Sequence, residues 1–151
     1  MKSIFRVVIF LVFFPAPVWA QVQGIPLVLG GDVLVIDGIR IQLQGLDSPQ
    51  PEQQCGTDEK PFPCGAVART ALMDLIFGDV VSCKILGDGN DGAKLATCTA
   101  GGFDVAGNMV HTGWVVADRA TGQRYRAIED KARVARRGLW RRPDAPAWRR
   151  D

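Results

Sequence analysis

Residues 30–50 read Gly-Gly-Asp-Val-Leu-Val-Ile-Asp-Gly-Ile-Arg-Ile-Gln-Leu-Gln-Gly-Leu-Asp-Ser-Pro-Gln, and this segment predicts two short strands with a tight turn between them. Residues 33–36 are apolar throughout, while residues 39–44 alternate between aliphatic and polar side chains, the period of a strand with one buried face. Asp37-Gly38 stands between them. This dipeptide is favoured in two-residue type I′ turns because both positions need a positive φ. The segment therefore predicts an antiparallel hairpin.

Two carboxylates flank the predicted hairpin. Asp32 precedes the first strand and Asp47 follows the second, so antiparallel pairing brings both side chains to the same end. Carboxylate oxygens are the ligands that hard divalent cations prefer. The pair is therefore a candidate site for a hard cation.

The first 20 residues have the organisation of a secretory signal peptide. Lys2 and Arg6 precede an uncharged apolar run at residues 7–14, and the segment ends in Val-Trp-Ala. The run is much shorter than the roughly 20 residues needed to span a bilayer, and two prolines follow it. We therefore predict cleavage after Ala20, a periplasmic or secreted mature protein, and no membrane association after cleavage.

The charge of the remaining chain is divided between its two parts. Residues 21–118 hold 5 Lys+Arg against 12 Asp+Glu, whereas residues 119–151 hold 11 against 4. The balances are −7 and +7. Opposed charges of this size favour a charge-complementary protein partner, or head-to-tail self-association, over nucleic acid spread across the acidic part.

Four cysteines follow the predicted cleavage site, as expected for two disulfides in an exported protein. Sequence alone allows three pairings. Cys55 and Cys64 flank a short proline-rich loop, and Cys83 and Cys98 lie on two predicted strands joined by a turn, which favours the sequential pairing Cys55–Cys64 and Cys83–Cys98. A four-cysteine zinc site is the alternative. It is disfavoured because no two of the cysteines have the close spacing of typical zinc ligands.

The remaining pattern predicts one α+β, mainly β domain at residues 21–140. Residues 66–77 predict a helix ended by Gly78, residues 80–86 and 94–99 predict strands, and Asp104 begins a short helix that ends at Gly113. Residues 123–137 predict the last helix. We expect residues 141–151 to form a basic, irregular C-terminal tail.

These segments and their order resemble the staphylococcal nuclease (thermonuclease-like) family. Its members read Asp-Gly-Asp-Thr before the first strand of the hairpin and Arg-x-Leu-x-Gly-Ile-Asp-Ala-Pro-Glu from the second strand onward. Beyond the hairpin the likeness continues through Gly92-x-x-Leu95-Ala96-x-Cys98, Met109-Val110-x-x-Gly113-Trp114 and Ala132-Arg133-x-Ala135-Arg136-Arg137-Gly138-Leu139-Trp140. It covers roughly residues 24–149. The resemblance implies a five-stranded OB-fold barrel with about three helices.

The resemblance also implies calcium-assisted hydrolysis of phosphodiester bonds. In this family two arginines hold the phosphate and a glutamate orients the attacking water, groups that suit the charge of a phosphoryl transition state. Here Gln42 and Ala93 occupy the arginine positions, and Gln50 occupies the glutamate position. An amide cannot act as a general base, and removing one group that stabilises transition-state charge typically costs roughly 10²–10³ in rate. The sequence therefore predicts that no catalytic position is intact.

Three neighbouring side chains are candidate substitutes for the lost groups. Arg40 shares a strand face with Gln42, about 6.6 Å along the strand. Lys94 follows Ala93 and is expected on the opposite face of its strand, and Glu52 lies in a loop after Gln50.

The calcium site that the resemblance implies is also reduced. Asp32, Asp47 and the carbonyl of Ser48 remain as ligands, but Gly30 and Gln50 stand where the family has carboxylates. Two carboxylates with few other ligands predict weak calcium binding or none. No other cofactor is expected.

A basic segment near the C-terminus is a candidate patch for nucleic acid or a protein partner. Its members are Arg133, Arg136, Arg137, Arg141 and Arg142. The alternative is a solvated helix face, which we favour because basic residues at these positions occur in the family whatever the partner. Salt-sensitive binding would distinguish the two.

The preferred interpretation is an exported nuclease homologue that has lost catalysis and serves as a binding or scaffold module. The first alternative is a weak calcium-dependent nuclease that relies on Arg40, Glu52 and Lys94. The second is non-specific nucleic-acid binding, weak in strength, through the basic C-terminal segment.

Overall fold

The computed structural model describes residues 20–142, which form a curved β-sheet with three α-helices packed around it. The strands are β1 (Gln21–Gly24), β2 (Leu27–Val28), β3 (Val33–Ile36), β4 (Ile39–Leu43), β5 (Leu46–Asp47), β6 (Cys55–Thr57), β7 (Lys60–Phe62), β8 (Val81–Asp88), β9 (Lys94–Ala100), β10 (Phe103–Asp104) and β11 (Val116–Ala117). The helices are α1 (Cys64–Leu75), α2 (Val105–Thr112) and α3 (Arg126–Val134), with short 3₁₀ segments at Gln123–Tyr125 and Gly138–Arg141.

The main sheet curls so that its first and last strands are consecutive pieces of the chain. Its order is β1-β8-β9-β4-β3-β2, and only Ile25 and Pro26 separate β1 from β2. Every pairing is antiparallel except that of β4 with β9. If β1 and β2 are counted as one interrupted strand, five strands surround the core and α1 lies between the third and the fourth. This is the predicted OB-like arrangement.

The predicted hairpin is present with the predicted turn. Asp37 and Gly38 have φ values of 49° and 78°, as a type I′ turn requires. Ile41 and Leu43 on β4 and Leu34 and Ile36 on β3 are fully buried, so one face of the hairpin forms part of the core. The other face remains available for the polar side chains of β4.

The predicted disulfides are both formed. Cys55–Cys64 joins the start of α1 to the small β6–β7 hairpin, and Cys83–Cys98 links directly opposed residues of β8 and β9. Disulfides of this kind are typical of proteins that fold in oxidising compartments. Among residues 20–142, no helix is long and apolar enough to cross a membrane.

The last helix differs from its prediction over residues 123–137. It begins as a 3₁₀ turn, becomes α-helical at Arg126 and ends at Val134. Arg136 adopts a left-handed φ of 51°, which a continuous α-helix does not allow. The predicted signal peptide at residues 1–20 and tail at residues 141–151 lie almost wholly outside the described residues.

Candidate functional site

A polar groove lies on the hairpin face that points away from the core. It consists of two adjoining hollows of about 230 and 420 Å³. Asp32, Gln42, Gln50 and Asn90 line both hollows, so the groove runs between β4, the loop at residues 48–51 and the turn joining β8 to β9. Four of the residues singled out from the sequence, Asp32, Arg40, Gln42 and Gln50, are therefore brought to one place.

Gln42 connects the two walls of this groove. Its Nε2 donates to Asp32 Oδ2 at 3.4 Å, and its Oε1 accepts from the backbone N–H of Asn90 at 3.0 Å. Gly89 makes this approach possible, because a Cβ there would lie 2.8 Å from Gln42 Oε1. The Gln42 amide thus ties the β8–β9 turn to the hairpin.

Asp32 is the acidic group most affected by its surroundings. Its pKa is raised to about 6, mainly by burial and to a smaller extent by the negative charge of Asp47, while the Gln42 hydrogen bond and the Arg40 charge act in the opposite direction. The only side-chain hydrogen bond to Asp32 in the described part of the chain is the long one from Gln42. The carboxylate is therefore held in an environment that satisfies its charge incompletely.

Gln50 and Ala93, the other two positions predicted to lack a catalytic group, differ in their access to the groove. Gln50 is exposed and lines it, and its backbone N–H donates to Gln53 Oε1 at 3.0 Å. Ala93 is only 2% exposed and lines neither hollow. The Ala93 carbonyl accepts a hydrogen bond from the N–H of Gly89, so Ala93 helps to close the β8–β9 turn.

The candidate substitutes are not assembled around one point. Arg40 lines the smaller hollow beside Asp32 and Gln42. Lys94 forms an exposed ion pair with Asp88 at 2.5 Å, and neither Lys94 nor Glu52 lines either hollow. Only one of the three is placed where a groove-bound ligand would contact it.

The predicted calcium ligands share the larger hollow. Asp32, Asp47 and Ser48 all line it, but within residues 20–142 no three His, Cys, Asp or Glu side chains form a group suited to a metal. Calcium takes six to eight oxygen ligands, preferably several of them charged. A set of two carboxylates, one of them hydrogen-bonded to Gln42, fits this ion poorly.

The predicted basic patch is divided among several contacts. Arg133 binds Glu129 and stacks over Trp140, Arg137 lies 3.3 Å from His111 Nδ1, and Arg142 stacks over Phe62. Arg136 and Arg141 are exposed. At least three of the five guanidinium groups therefore have structural contacts of their own.

Glu129 is a buried acidic residue that the sequence analysis did not select. It is 5% exposed, its Oε2 accepts from the backbone N–H of Ala117 at 2.7 Å, and its Oε1 binds Arg133 at 3.1 Å. The helical periodicity of the sequence could have indicated its burial, because Glu129 lies on the same helical face as the buried Tyr125 and Ala132.

Comparison with known proteins agrees with the fold. A family model described as staphylococcal nuclease homologue matches residues 40–142. A curated relative, the succinoglycan biosynthesis protein ExoI of Rhizobium meliloti (strain 1021), is 31% identical over 120 residues, which make up 76% of this chain and 62% of the relative. The chain thus spans less than two thirds of that relative's length. The match over most of the barrel shows that this chain belongs to the staphylococcal nuclease homologue family.

Proposed function

We propose that this protein is an exported, non-hydrolytic member of its family whose groove binds a ligand without cleaving it. The observation that carries the proposal is the hydrogen-bonded position of Gln42 between Asp32 and Asn90. A neutral amide there supplies no charge to a phosphoryl transition state, and its two bonds hold the groove in a fixed shape.

The other two positions support the same conclusion. The Gln50 side chain reaches the groove but cannot accept a proton from water near neutral pH. Ala93 has no functional group and lies under the surface. Because Gln42, Gln50 and Ala93 replace two arginines and a glutamate, a phosphodiester bound here would lack the general base and both of the guanidinium groups that the family provides at these positions.

Export is supported by the signal-like N-terminus and by the two disulfides. Because the relative is a succinoglycan biosynthesis protein, we place the proposed binding function in the synthesis of an extracellular polysaccharide. The charge asymmetry between the acidic barrel and the basic C-terminal third supports a complementary protein partner or self-association in the same role.

A nuclease assay tests the loss of hydrolysis. The oxidised protein, residues 21–151, is incubated with single- and double-stranded DNA in excess calcium or in chelator. A Gln42→Arg/Gln50→Glu variant is assayed with and without Ala93→Arg, which is added separately because position 93 is buried. A Gln23→Arg/Gln54→Glu variant adds the same charges at exposed positions outside the groove.

We expect calcium-dependent cleavage only in a groove variant and none in the unaltered protein or the control. Calcium-dependent cleavage by the unaltered protein would overturn the proposal. The presence of Arg40 in the groove favours a weak nuclease as the second candidate. In that case Arg40→Gln should abolish the activity, whereas Lys131→Gln, at an exposed position of α3 outside the groove, should not.

A further inference from the structure

We propose that the groove binds a neutral polyhydroxylated chain, that is, a segment of an uncharged oligosaccharide, rather than a nucleic acid. The proposal names the ligand class of the binding function proposed above and rests on it. It is carried by the charge, the hydrogen-bonding groups and the apolar surfaces that the two hollows bring together.

The charge of the groove opposes a polyanion. The acidic residues that line it are Asp32, Asp47, Asp88, Asp91 and Asp118. Arg40 is the one basic residue lining either hollow in the described part of the chain, and the nearby Lys94 is bound to Asp88. A phosphodiester chain would meet like charge along this path, whereas a neutral sugar would not.

The hydrogen-bonding groups suit hydroxyls. The side chains of Arg40, Gln50 and Asn90 make no hydrogen bond within residues 20–142 and all line the smaller hollow. Each amide offers donors and an acceptor at one position, as a hydroxyl does. Gln42 is already fixed between its two partners, so one wall is organised before a ligand arrives.

The groove also has apolar surfaces between the polar groups. Leu29, Val33 and Pro51 line the smaller hollow and Leu95 lines the larger one, and all four are at least partly exposed. Such surfaces can cover the C–H faces of a sugar ring while the amides bind its edge. The two hollows together have the volume of a typical small-molecule site, roughly 300–1,000 Å³, although most of their lining is polar.

A purely cationic ligand accounts for fewer of these features. Lysine side chains would gain from the carboxylates, but they would meet the Arg40 guanidinium and could use only the acceptor of each amide. A neutral chain of hydroxyls can use the donors as well as the acceptors. The test therefore includes a cationic competitor, so that binding of a cationic ligand would be detected.

The test is a titration of the isotope-labelled, oxidised protein, followed by NMR. The probes are two neutral oligosaccharides, cellotetraose and maltotetraose, with a short oligothymidylate and tetralysine as competitors. Each titration is carried to about 10 mM at low and at raised salt, because charged ligands lose affinity as the ionic strength rises. The side-chain amide signals of Gln42, Gln50 and Asn90 report directly on the groove.

Two glycines provide matched variants. Gly30 lines the smaller hollow, and a Cβ there would make only ordinary contacts, with Pro51 at 3.7 Å and Asp32 at 3.8 Å. Gly30→Leu should therefore fill the groove without straining the backbone. Gly87→Leu is the control, since a Cβ there meets nothing within 4 Å and Gly87 lines neither hollow. Gln50→Ala/Asn90→Ala, at two exposed positions, serves as a second test should Gly30→Leu fold poorly.

We expect at least one tetraose to bind with a Kd on the order of 1 mM, independent of salt, with shifts confined to the groove. Gly30→Leu and Gln50→Ala/Asn90→Ala should each weaken binding about tenfold or more, and Gly87→Leu should leave it unchanged. The absence of tetraose shifts would overturn the proposal. So would equal binding by Gly30→Leu, or displacement of the sugar by oligothymidylate or tetralysine.

The two proposals fail in different ways. Hydrolysis of oligothymidylate by the unaltered protein would overturn the non-hydrolytic function. Absence of tetraose binding with no hydrolysis would overturn only the choice of ligand class.

Discussion

Asp32 in the groove and Glu129 beneath the last helix are both acidic residues drawn away from water, yet their surroundings differ. Glu129 accepts a 2.7 Å bond from the Ala117 N–H and binds Arg133, whereas Asp32 has one long bond from a neutral amide and a like charge nearby. The first arrangement stabilises the fold. The surroundings of Asp32 leave its carboxylate with few hydrogen bonds, as is common at sites that bind ligands.

Removing the Glu129 side chain should have the largest effect. Glu129→Ala leaves the Ala117 N–H buried without this acceptor and opens a gap under α3, so we expect a loss of about 2–4 kcal/mol in the free energy of unfolding. Denaturant titration measures it. Glu129→Gln keeps an acceptor for Ala117 and should cost about 1 kcal/mol. Equal losses in the two variants would contradict the role assigned to that bond.

Neutralising Asp32 should raise the free energy of unfolding rather than lower it. Its folded-state pKa of about 6 lies above the ordinary aspartate value of 3.8, so the folded protein binds more protons than the unfolded chain between these pH values and loses stability as the pH rises through them. At pH 7.5 we expect Asp32→Asn to be more stable than the unaltered protein by about 1–3 kcal/mol, and the difference should vanish near pH 4.

Unfolding curves of Asp32→Asn at several pH values, in chelator, provide the measurement. Asp74→Asn, on the exposed surface of α1, controls for the loss of one negative charge. If Asp32→Asn is less stable than the unaltered protein at pH 7.5, the account of Asp32 as an incompletely satisfied carboxylate is wrong.

Gln42→Ala should act mainly on the β8–β9 turn. Loss of the bond to the Asn90 N–H should cost about 1 kcal/mol and speed hydrogen exchange at that amide. The neighbouring Gln44→Ala is the control, because its side chain makes no hydrogen bond in the described residues. Unchanged exchange at Asn90 would show that the turn does not depend on Gln42.

Arg133→Gln should have the smallest effect. The Arg133 side chain is 53% exposed, so its ion pair with Glu129 is screened by solvent and should contribute less than about 1 kcal/mol. Raised salt should reduce the difference further. A loss as large as that of Glu129→Ala would mean that the ion pair, rather than the Ala117 bond, holds the carboxylate.

The barrel could be predicted from sequence because its determinants are local. Asp37-Gly38 fixes the turn, the alternation after it fixes the buried face, and the spacing of Cys83 and Cys98 suits a disulfide between neighbouring strands. The end of α3 could not be predicted in the same way. Arg136 has a left-handed φ of 51°, a conformation that glycine or asparagine usually adopts after a helix, and the next N–H, that of Arg137, donates to Ala132 O at 2.9 Å.

The groove was predicted only in part. The motif spacing located Asp32, Gln42 and Gln50, but the bond between Gln42 and Asn90 depends on how a loop 48 residues further along the chain is folded. Burial of Ala93 and of Glu129 is likewise a result of tertiary packing. The residue types alone do not show that the carboxylate of Glu129 is fully hydrogen-bonded while that of Asp32 is not.

Formation of the barrel should end with β1, although β1 precedes the other described strands in the chain. β1 and β2 form the two ends of the main sheet. β1 pairs with β8, and Gln21 lies opposite Lys84, so the two paired strands are far apart in the chain. The β3–β4 and β8–β9 hairpins join near neighbours and can form early, whereas distant pairings are slow. Pulsed hydrogen exchange during refolding should therefore show the amides of residues 21–24 protected last.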